Sequence, residues 1–362
     1  RGSDQSTRAD ESMPWFTRVR VKRPSDGQAT EWRLRSLLGV GGFARVYEAE
    51  DQDGCRAACK AIQVDTPDRE ARARREIDAL EAGQSHRHVV GFRGAAHVGS
   101  WMFIFQDLQT GDILDEVLSR RGYARERGGE ERAQRVVAQL LRALAHLHRR
   151  NIVHGDVKPE NVLCGPSASD DVQLADFGSA LQLDDQACHM LPPDTGLSMG
   201  TALYASPEVL RVECVSPASD MWSVGVLTYV LLSGCFPFSS ATETLSHRAS
   251  FAAEPWRSHV SPAGREFIVS LLRHDPTRRL TAEQALQHPW LASAVRCETP
   301  PPAAEAVAPP EPHTPTKRAR HTDSLWSTDE EGSVHEGKRA KPLPAEPSHV
   351  CVSQLSELCA VP

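Results

Sequence analysis

The segment His154-Gly155-Asp156-Val157-Lys158-Pro159-Glu160-Asn161 places an aspartate, a lysine and an asparagine two and three residues apart. On a tight loop these three groups suit phosphoryl transfer. Asp156 can accept the proton of an attacking hydroxyl, Lys158 can neutralise charge on the phosphoryl group in flight, and Asn161 can offer a carbonyl oxygen to a divalent metal. Further on, Asp176-Phe177-Gly178 adds a second metal-ligand candidate, followed by a glycine free to turn. His154 is expected to pack as a structural residue.

Such groups need a cradle for the phosphates. Gly39-Val40-Gly41-Gly42-Phe43-Ala44-Arg45-Val46 lies between two apolar, strand-like segments. Its glycines let the backbone close over phosphates, and Val46 can cover an adenine ring. Taken alone, a glycine-rich hairpin is more often just a turn. The next segment gives it weight: Ala57-Ala58-Cys59-Lys60-Ala61-Ile62 alternates so that Ala58 and Lys60 share a strand face beneath the glycine loop. A lone lysine would usually snorkel to the surface; this one needs a carboxylate to orient it. Glu76 is the choice over Glu70, Asp78 and Glu81, because Leu80 puts an apolar contact one turn later on the same helical face.

Taken in order, these blocks resemble the eukaryotic protein kinase family. Ala44 stands for the third glycine of the family's loop, Ala57 to Ile62 resembles its VAIK strand, and His154 to Asn161 resembles its catalytic loop, with Gly155 where arginine is usual. Asp176-Phe177-Gly178 resembles its DFG motif. Gly200-Thr201-Ala202-Leu203-Tyr204-Ala205-Ser206-Pro207-Glu208 resembles the GTxxYxAPE segment that closes the activation loop, with Ser206 for alanine. Asp220-Met221-Trp222-Ser223-Val224-Gly225 resembles the DxWxxG opening of the central helix.

The resemblance spans residues 31–291 and implies an α+β, two-lobed fold. A small antiparallel sheet with one helix would occupy about 31–108, and a larger, mostly helical lobe about 109–291. It implies ATP and two Mg2+ ions as cofactors. Lys60, oriented by Glu76, would meet the α- and β-phosphates, and Ala58 and Val46 the adenine. The loop from Gly39 to Val46 would cover the nucleotide, Asp107 and Leu108 would form the hinge, and Phe105 and Gln106 both stand as candidates for the back of the pocket. Asn161 and Asp176 would hold metal, and Thr201 would contact Asp156 and Lys158. Glu208 would pair with Arg279, and Asp220 would cap the catalytic loop's backbone.

Lysine two residues after the catalytic aspartate is similar to the serine/threonine enzymes, so the γ-phosphate is expected to pass to serine and threonine hydroxyls of protein substrates. The rival reading is a pseudokinase scaffold that binds ATP without efficient transfer. The C-terminal half is similar to the calcium/calmodulin-dependent kinase group, whereas His88-Val89-Val90-Gly91-Phe92 looks more like polo kinases. In most regulated members the arginine before the catalytic aspartate receives an activation-loop phosphate. Gly155 lacks that guanidinium, so activity independent of such a phosphate is expected. Asp184, Asp185 and Asp194 are read as solvated.

The positioning elements are legible as patterns. Residues 31–64 alternate like strands, and 68–82 suit an amphipathic helix that buries Ile77 and Leu80. Glu131 to Arg149 carries apolar residues at helical spacing, and Asp220 to Leu232 is apolar nearly all round. Residues 1–30 read as an arm in which Val19 and Val21 suggest a short strand.

With 40% hydrophobic and 25% charged residues, the 362-residue chain can bury a sizeable core. A net charge of -7 argues against general nucleic-acid binding, and the apolar run Val224 to Phe238 is too short to span a bilayer. Nine scattered cysteines without a CxxC pair read as reduced thiols of the cytosol or nucleus. The start at Arg1-Gly2-Ser3, without an initiator methionine, fits a fragment. Residues 292–362 hold eleven of the 25 prolines and read as a disordered tail. Within it the basic tetrads Lys317-Arg318-Ala319-Arg320 and Lys338-Arg339-Ala340-Lys341 fit a nuclear import receptor, Thr299-Pro300 and Thr314-Pro315 fit proline-directed kinases, and Val350 to Leu358 fits a short docking helix.

Overall fold

The structure, a computed structural model, describes residues 18–22, 27–41, 44–109, 111–120, 122–165, 171–183, 188–190 and 202–298. Gly42, Phe43, Thr201, Asp184, Asp185, Asp194 and the segment from Thr299 onward lie outside them.

Alternating apolar residues build the first lobe. Strands β1 (Arg18–Lys22), β2 (Ala29–Val40), β3 (Ala44–Asp51), β4 (Arg56–Gln63), β5 (Phe92–Val98) and β6 (Trp101–Asp107) form an antiparallel sheet in the order β1-β2-β3-β4-β6-β5. The sheet therefore begins at Arg18, ahead of the domain start placed at residue 31. Val19 and Val21 lie opposite Trp32 and Thr30, and all four are buried. Burial of Trp32 against those valines draws the segment into the sheet.

The two faces of this sheet do different jobs. On one, Val19, Val21, Trp32, Cys59, Phe103 and Phe105 close an apolar cluster, with Trp32 stacked on Phe105 at 5.3 Å between ring centroids. On the other, Lys60 pairs with Val46 and Ile104, and Ala58 with Gln106, so these residues face the interlobe cleft. Phe105 is thereby excluded from the back of the pocket, and Gln106 takes that place.

Helix α1 (Pro67–Gly83) begins where Thr66 accepts a hydrogen bond from the Arg69 amide and Pro67 presets the first turn. Asp68 and Glu70 complement the positive end of the helix dipole. Its buried side is narrow, with Ala73, Glu76, Ala79 and Leu80; Ile77 is only partly buried.

In the second lobe, α2 (Ile113–Arg120) and α3 (Gly129–His148) precede the catalytic loop. The helix Pro217–Ser233 is apolar all round and almost wholly buried, starting at a Ser216/Ser219 capping box and stopping at Gly234, whose φ is 70°. One continuous core runs from Ile62 and Ile104 through Leu80 and Phe177 to Leu144 and Trp222, so sheet, α1 and the central helix share a single packed interior.

Short ladders pin the loops. Strands β7 (Gly111–Asp112), β9 (Val162–Cys164) and β10 (Val172–Leu174) pair in the order β10-β9-β7, and β8 (Ile152–Val153) pairs with β11 (Leu181–Gln182). The catalytic loop is thus held by β8 before it and β9 after it. Residues Ala292–Glu298 form a helix, so the tail read as beginning at 292 carries ordered structure through Glu298. Among the described residues, no helix is long and apolar enough to cross a membrane.

Candidate active site

Three separate segments converge on Lys60. Its Nζ donates to Glu76 Oε1 at 2.6 Å and to Asp176 Oδ1 at 2.7 Å. Strand β4 supplies the lysine, α1 the glutamate, and the turn after β10 the aspartate. They border a cleft of about 330 Å³ also lined by Gly41, Ala44 and Arg72.

Charge keeps this triad ionised where it matters. Burial opposes the Lys60 ammonium, but Glu76 and Asp176 outweigh it and raise the lysine's pKa. Burial likewise opposes ionisation of Asp176, yet the Lys60 charge and hydrogen bond more than offset it and bring the carboxyl to about 2. Glu76, 2% exposed, moves the other way, because burial and neighbouring Asp176 exceed the pull of Lys60. Lys60 is therefore a permanent cation and Asp176 a permanent anion at neutral pH.

Asp176 has φ 59°, a left-handed backbone that a non-glycine residue adopts only when its surroundings hold it. Here its side chain accepts from the Gly178 amide at 3.3 Å. Phe177 is fully buried and meets the edge of His154 at 5.0 Å. The Nε2 of His154 lies 3.0 Å from the Ala175 carbonyl oxygen, so this histidine is structural, as its position in the segment suggested.

The second cluster surrounds Asp156. Lys158 Nζ donates to Asp156 Oδ2 at 2.8 Å, and Asn161 Nδ2 donates to the Asp156 carbonyl at 2.8 Å and to Oδ2 at 3.1 Å. Among the described residues, Asp156 Oδ1 and Gln106 Nε2 are buried without a hydrogen-bond partner. A buried orphan acceptor beside a lysine, and a buried orphan donor beside Ala58, fit a substrate hydroxyl and a polar ring respectively. Asn161 uses its amide nitrogen inward, which leaves its carbonyl oxygen, with the Asp176 carboxylate, as a hard donor set suited to Mg2+.

Asp220 braces the loop from below. Its Oδ2 accepts from the His154 amide and its Oδ1 from the Gly155 amide, both at 2.9 Å, and it is 2% exposed. The expected Glu208–Arg279 pair is bidentate and buried: Nη1 to Oε1 at 2.6 Å and Nη2 to Oε2 at 2.7 Å. In the glycine loop, the Gly41 amide donates to the Ala44 carbonyl at 2.8 Å, and Val40 is exposed. At the hinge, the Asp107 amide donates to the Gly91 carbonyl and its carboxylate accepts from Arg93, while Leu108 follows the end of β6.

Two contacts escaped the sequence. Arg72 Nε donates to the Gly178 carbonyl at 2.9 Å, tying α1 to the turn that carries Asp176. Its place one turn before Glu76 on the same helix was the available signal. His148 Nε2 also meets Asp220 Oδ2 at 2.9 Å.

A two-lobed fold with a cleft lysine, its glutamate partner and two aspartates on adjoining loops defines an ATP-binding phosphotransferase. Residues 32–291 match the sequence model of the protein kinase domain, and the chain belongs to that family. It is 36% identical over 284 residues to a calcium/calmodulin-dependent protein kinase of Emericella nidulans, covering 76% of this chain and 66% of that one. It is 32% identical over 281 residues to the rat calcium/calmodulin-dependent protein kinase type 1B, covering 75% and 78%. Among solved structures, a Caenorhabditis elegans twitchin kinase fragment superposes with a TM-score of 0.64 at 30% identity, over 73% of this chain and 58% of that one. The kinase domain is of the serine/threonine class, and its similarity to the calcium/calmodulin-dependent group agrees with the reading of its C-terminal half.

Proposed function

We propose that this domain transfers the γ-phosphate of ATP, with Mg2+, to serine and threonine hydroxyls of protein substrates, and that it does so without a phosphate on its activation loop. The observation that carries this reading is the assembled triad, Lys60 bonded at once to Glu76 and Asp176, beside a catalytic loop whose residue 155 is glycine. Lys60 orients the nucleotide phosphates, and Glu76 keeps its ammonium from swinging away. Asp156 Oδ1 receives the substrate hydroxyl and takes its proton, and Lys158 balances charge on the group in transfer. Asn161 and Asp176 would hold Mg2+, which when bound would supply positive charge to offset that of the phosphates.

The decisive test compares wild type with Asp156→Ala on a serine/threonine peptide array. Phosphate incorporation lost in the variant supports transfer by this site. A wild type that binds ATP and Mg2+ but phosphorylates neither itself nor any peptide supports the scaffold reading instead. For the phosphate-independent part, alanine at Ser179, Thr195 and Ser198 together should leave activity within about tenfold, equivalent to ~1.4 kcal/mol of barrier; a larger loss rejects it.

The two basic tetrads, at Lys317 to Arg320 and Lys338 to Lys341, support import into the nucleus. Unchanged cellular distribution after deleting both would reject that.

A further inference from the structure

The activation segment returns to the domain through a two-strand ladder, β12 (His189–Met190) against β13 (Cys214–Val215), with Met190 opposite Cys214 and His189 opposite Val215. Continuing that register by one residue puts Cys188 diagonal to Cys214 on the same face. The two thiols are hydrogen-bonded, and both are half-buried. On the other face Val215 is buried with Val153 and Leu183. Val153 is the residue before His154, so the ladder joins the activation segment to the strand that feeds the catalytic loop. Neither cysteine takes part in phosphoryl transfer.

We propose that Cys188 and Cys214 form a peroxide-sensitive dithiol, whose disulfide locks β12 against β13. The covalent bond would do for this chain what a phosphate cannot do where residue 155 has no guanidinium. Only the activity arm of this inference rests on the kinase function proposed above.

The chemistry balances with hydrogen peroxide as oxidant. Burial first, and then the hydrogen bond that it donates to Cys188, push the Cys214 thiol up to about 11, so Cys214 stays protonated at neutral pH and serves as the resolving thiol. The Cys188 thiolate attacks one peroxide oxygen; an S–O bond forms, the O–O bond breaks, and hydroxide leaves as water after taking a proton. Cys214 then attacks the sulfenic sulfur of Cys188 as its proton departs; the S–S bond forms, the S–O bond breaks, and a second water leaves. Two thiols and one peroxide become one disulfide and two waters. A dithiol reductant returns the two electrons. Contact between the thiols lets this second step compete with intermolecular reactions despite the high pKa of Cys214.

The experiment uses the whole chain as wild type, Cys188→Ser and Cys214→Ser, each treated with hydrogen peroxide while folded, alkylated and mapped by mass spectrometry. Arg211 separates the two cysteines into different tryptic peptides. The expected result is a peptide pair linked through Cys188 and Cys214 in wild type alone, reversed by dithiothreitol. Oxidised wild type should keep peptide phosphorylation within about twofold, while thermolysin cuts its activation segment about tenfold more slowly. Both serine variants should show unoxidised activity equal to wild type and no slowing of cleavage. Two results overturn the proposal: Cys188 and Cys214 remaining alkylatable at a peroxide dose that oxidises exposed Cys55, or a linked enzyme that has lost phosphorylation. If unoxidised wild type phosphorylates nothing, the kinase reading fails, while the linkage is still decided by mass.

Discussion

The Gly155 amide donates to Asp220 Oδ1 across 2.9 Å, and this bond holds the catalytic loop in a conformation made for glycine. Gly155 has φ 75°, and a Cβ there would lie 2.7 Å from the Ser179 carbonyl oxygen, a backbone atom. The residue is therefore more than a missing arginine. Backbone geometry and the turn after the DFG motif both close against a side chain at this position.

Gly155→Ala and Gly155→Arg should each destabilise the domain by about 1–3 kcal/mol, the usual cost of a left-handed non-glycine residue. Urea denaturation checks this. Arginine at 155 should also fail to install control by phosphate. A Gly155→Arg enzyme as stable as wild type would show that the loop tolerates the side chain after all.

Asp156→Asn should lower kcat by ~10²–10⁴ while ATP affinity changes little, because the lost group acts on the substrate proton. Lys60→Met should instead weaken ATP binding and transfer together, since its ammonium orients the nucleotide and pairs with both Glu76 and Asp176. Isothermal titration beside steady-state kinetics separates the two patterns.

Arg279→Met leaves the Glu208 carboxylate buried without its partner. Glu208 is 3% exposed and Arg279 5%. Removing one member of such a pair costs about 3–5 kcal/mol. Thermal denaturation should show a lowered midpoint, and Glu208→Gln with Arg279→Met should lose less than the two single changes summed.

Burial, then the charges of His146, His88, Arg149 and Arg142, lower His86 from 6.5 to about 4. The unfolded chain therefore binds this proton more readily than the folded one. The stability contribution is whole above about pH 6.5 and is lost as pH falls toward about 4, the sign linkage requires. His146, lowered chiefly by burial, acts in the same direction. Melting temperature should fall between about pH 7 and about pH 5, and His86→Asn should flatten that slope; an unchanged slope would remove His86 as its source.

Much of the site was legible because motif chemistry is local. Asp156, Lys158 and Asn161 lie within six residues, and a loop that short brings them together whatever surrounds it. The same holds for α1, whose Thr66 cap, Pro67 start and periodic apolar side are written in consecutive residues. Val19 and Val21 suggested the short strand β1, but five residues carry too little pattern of their own to show which sheet it joins. Its place depends on Trp32, which needed the two valines to cover it.

By itself, then, the sequence determined the residue types, their order and the local turns of a serine/threonine kinase domain, because those depend on neighbours along the chain. Tertiary structure alone decided which distant groups touch. Gln106 faces the cleft and Phe105 does not because Trp32 stacks on the opposite side of β6. Lys60 reaches Asp176 across 116 residues only after the sheet, α1 and the DFG turn have packed into one core. Cys188 meets Cys214 only through the register of a two-residue ladder, set by the burial of Val215 rather than by either cysteine.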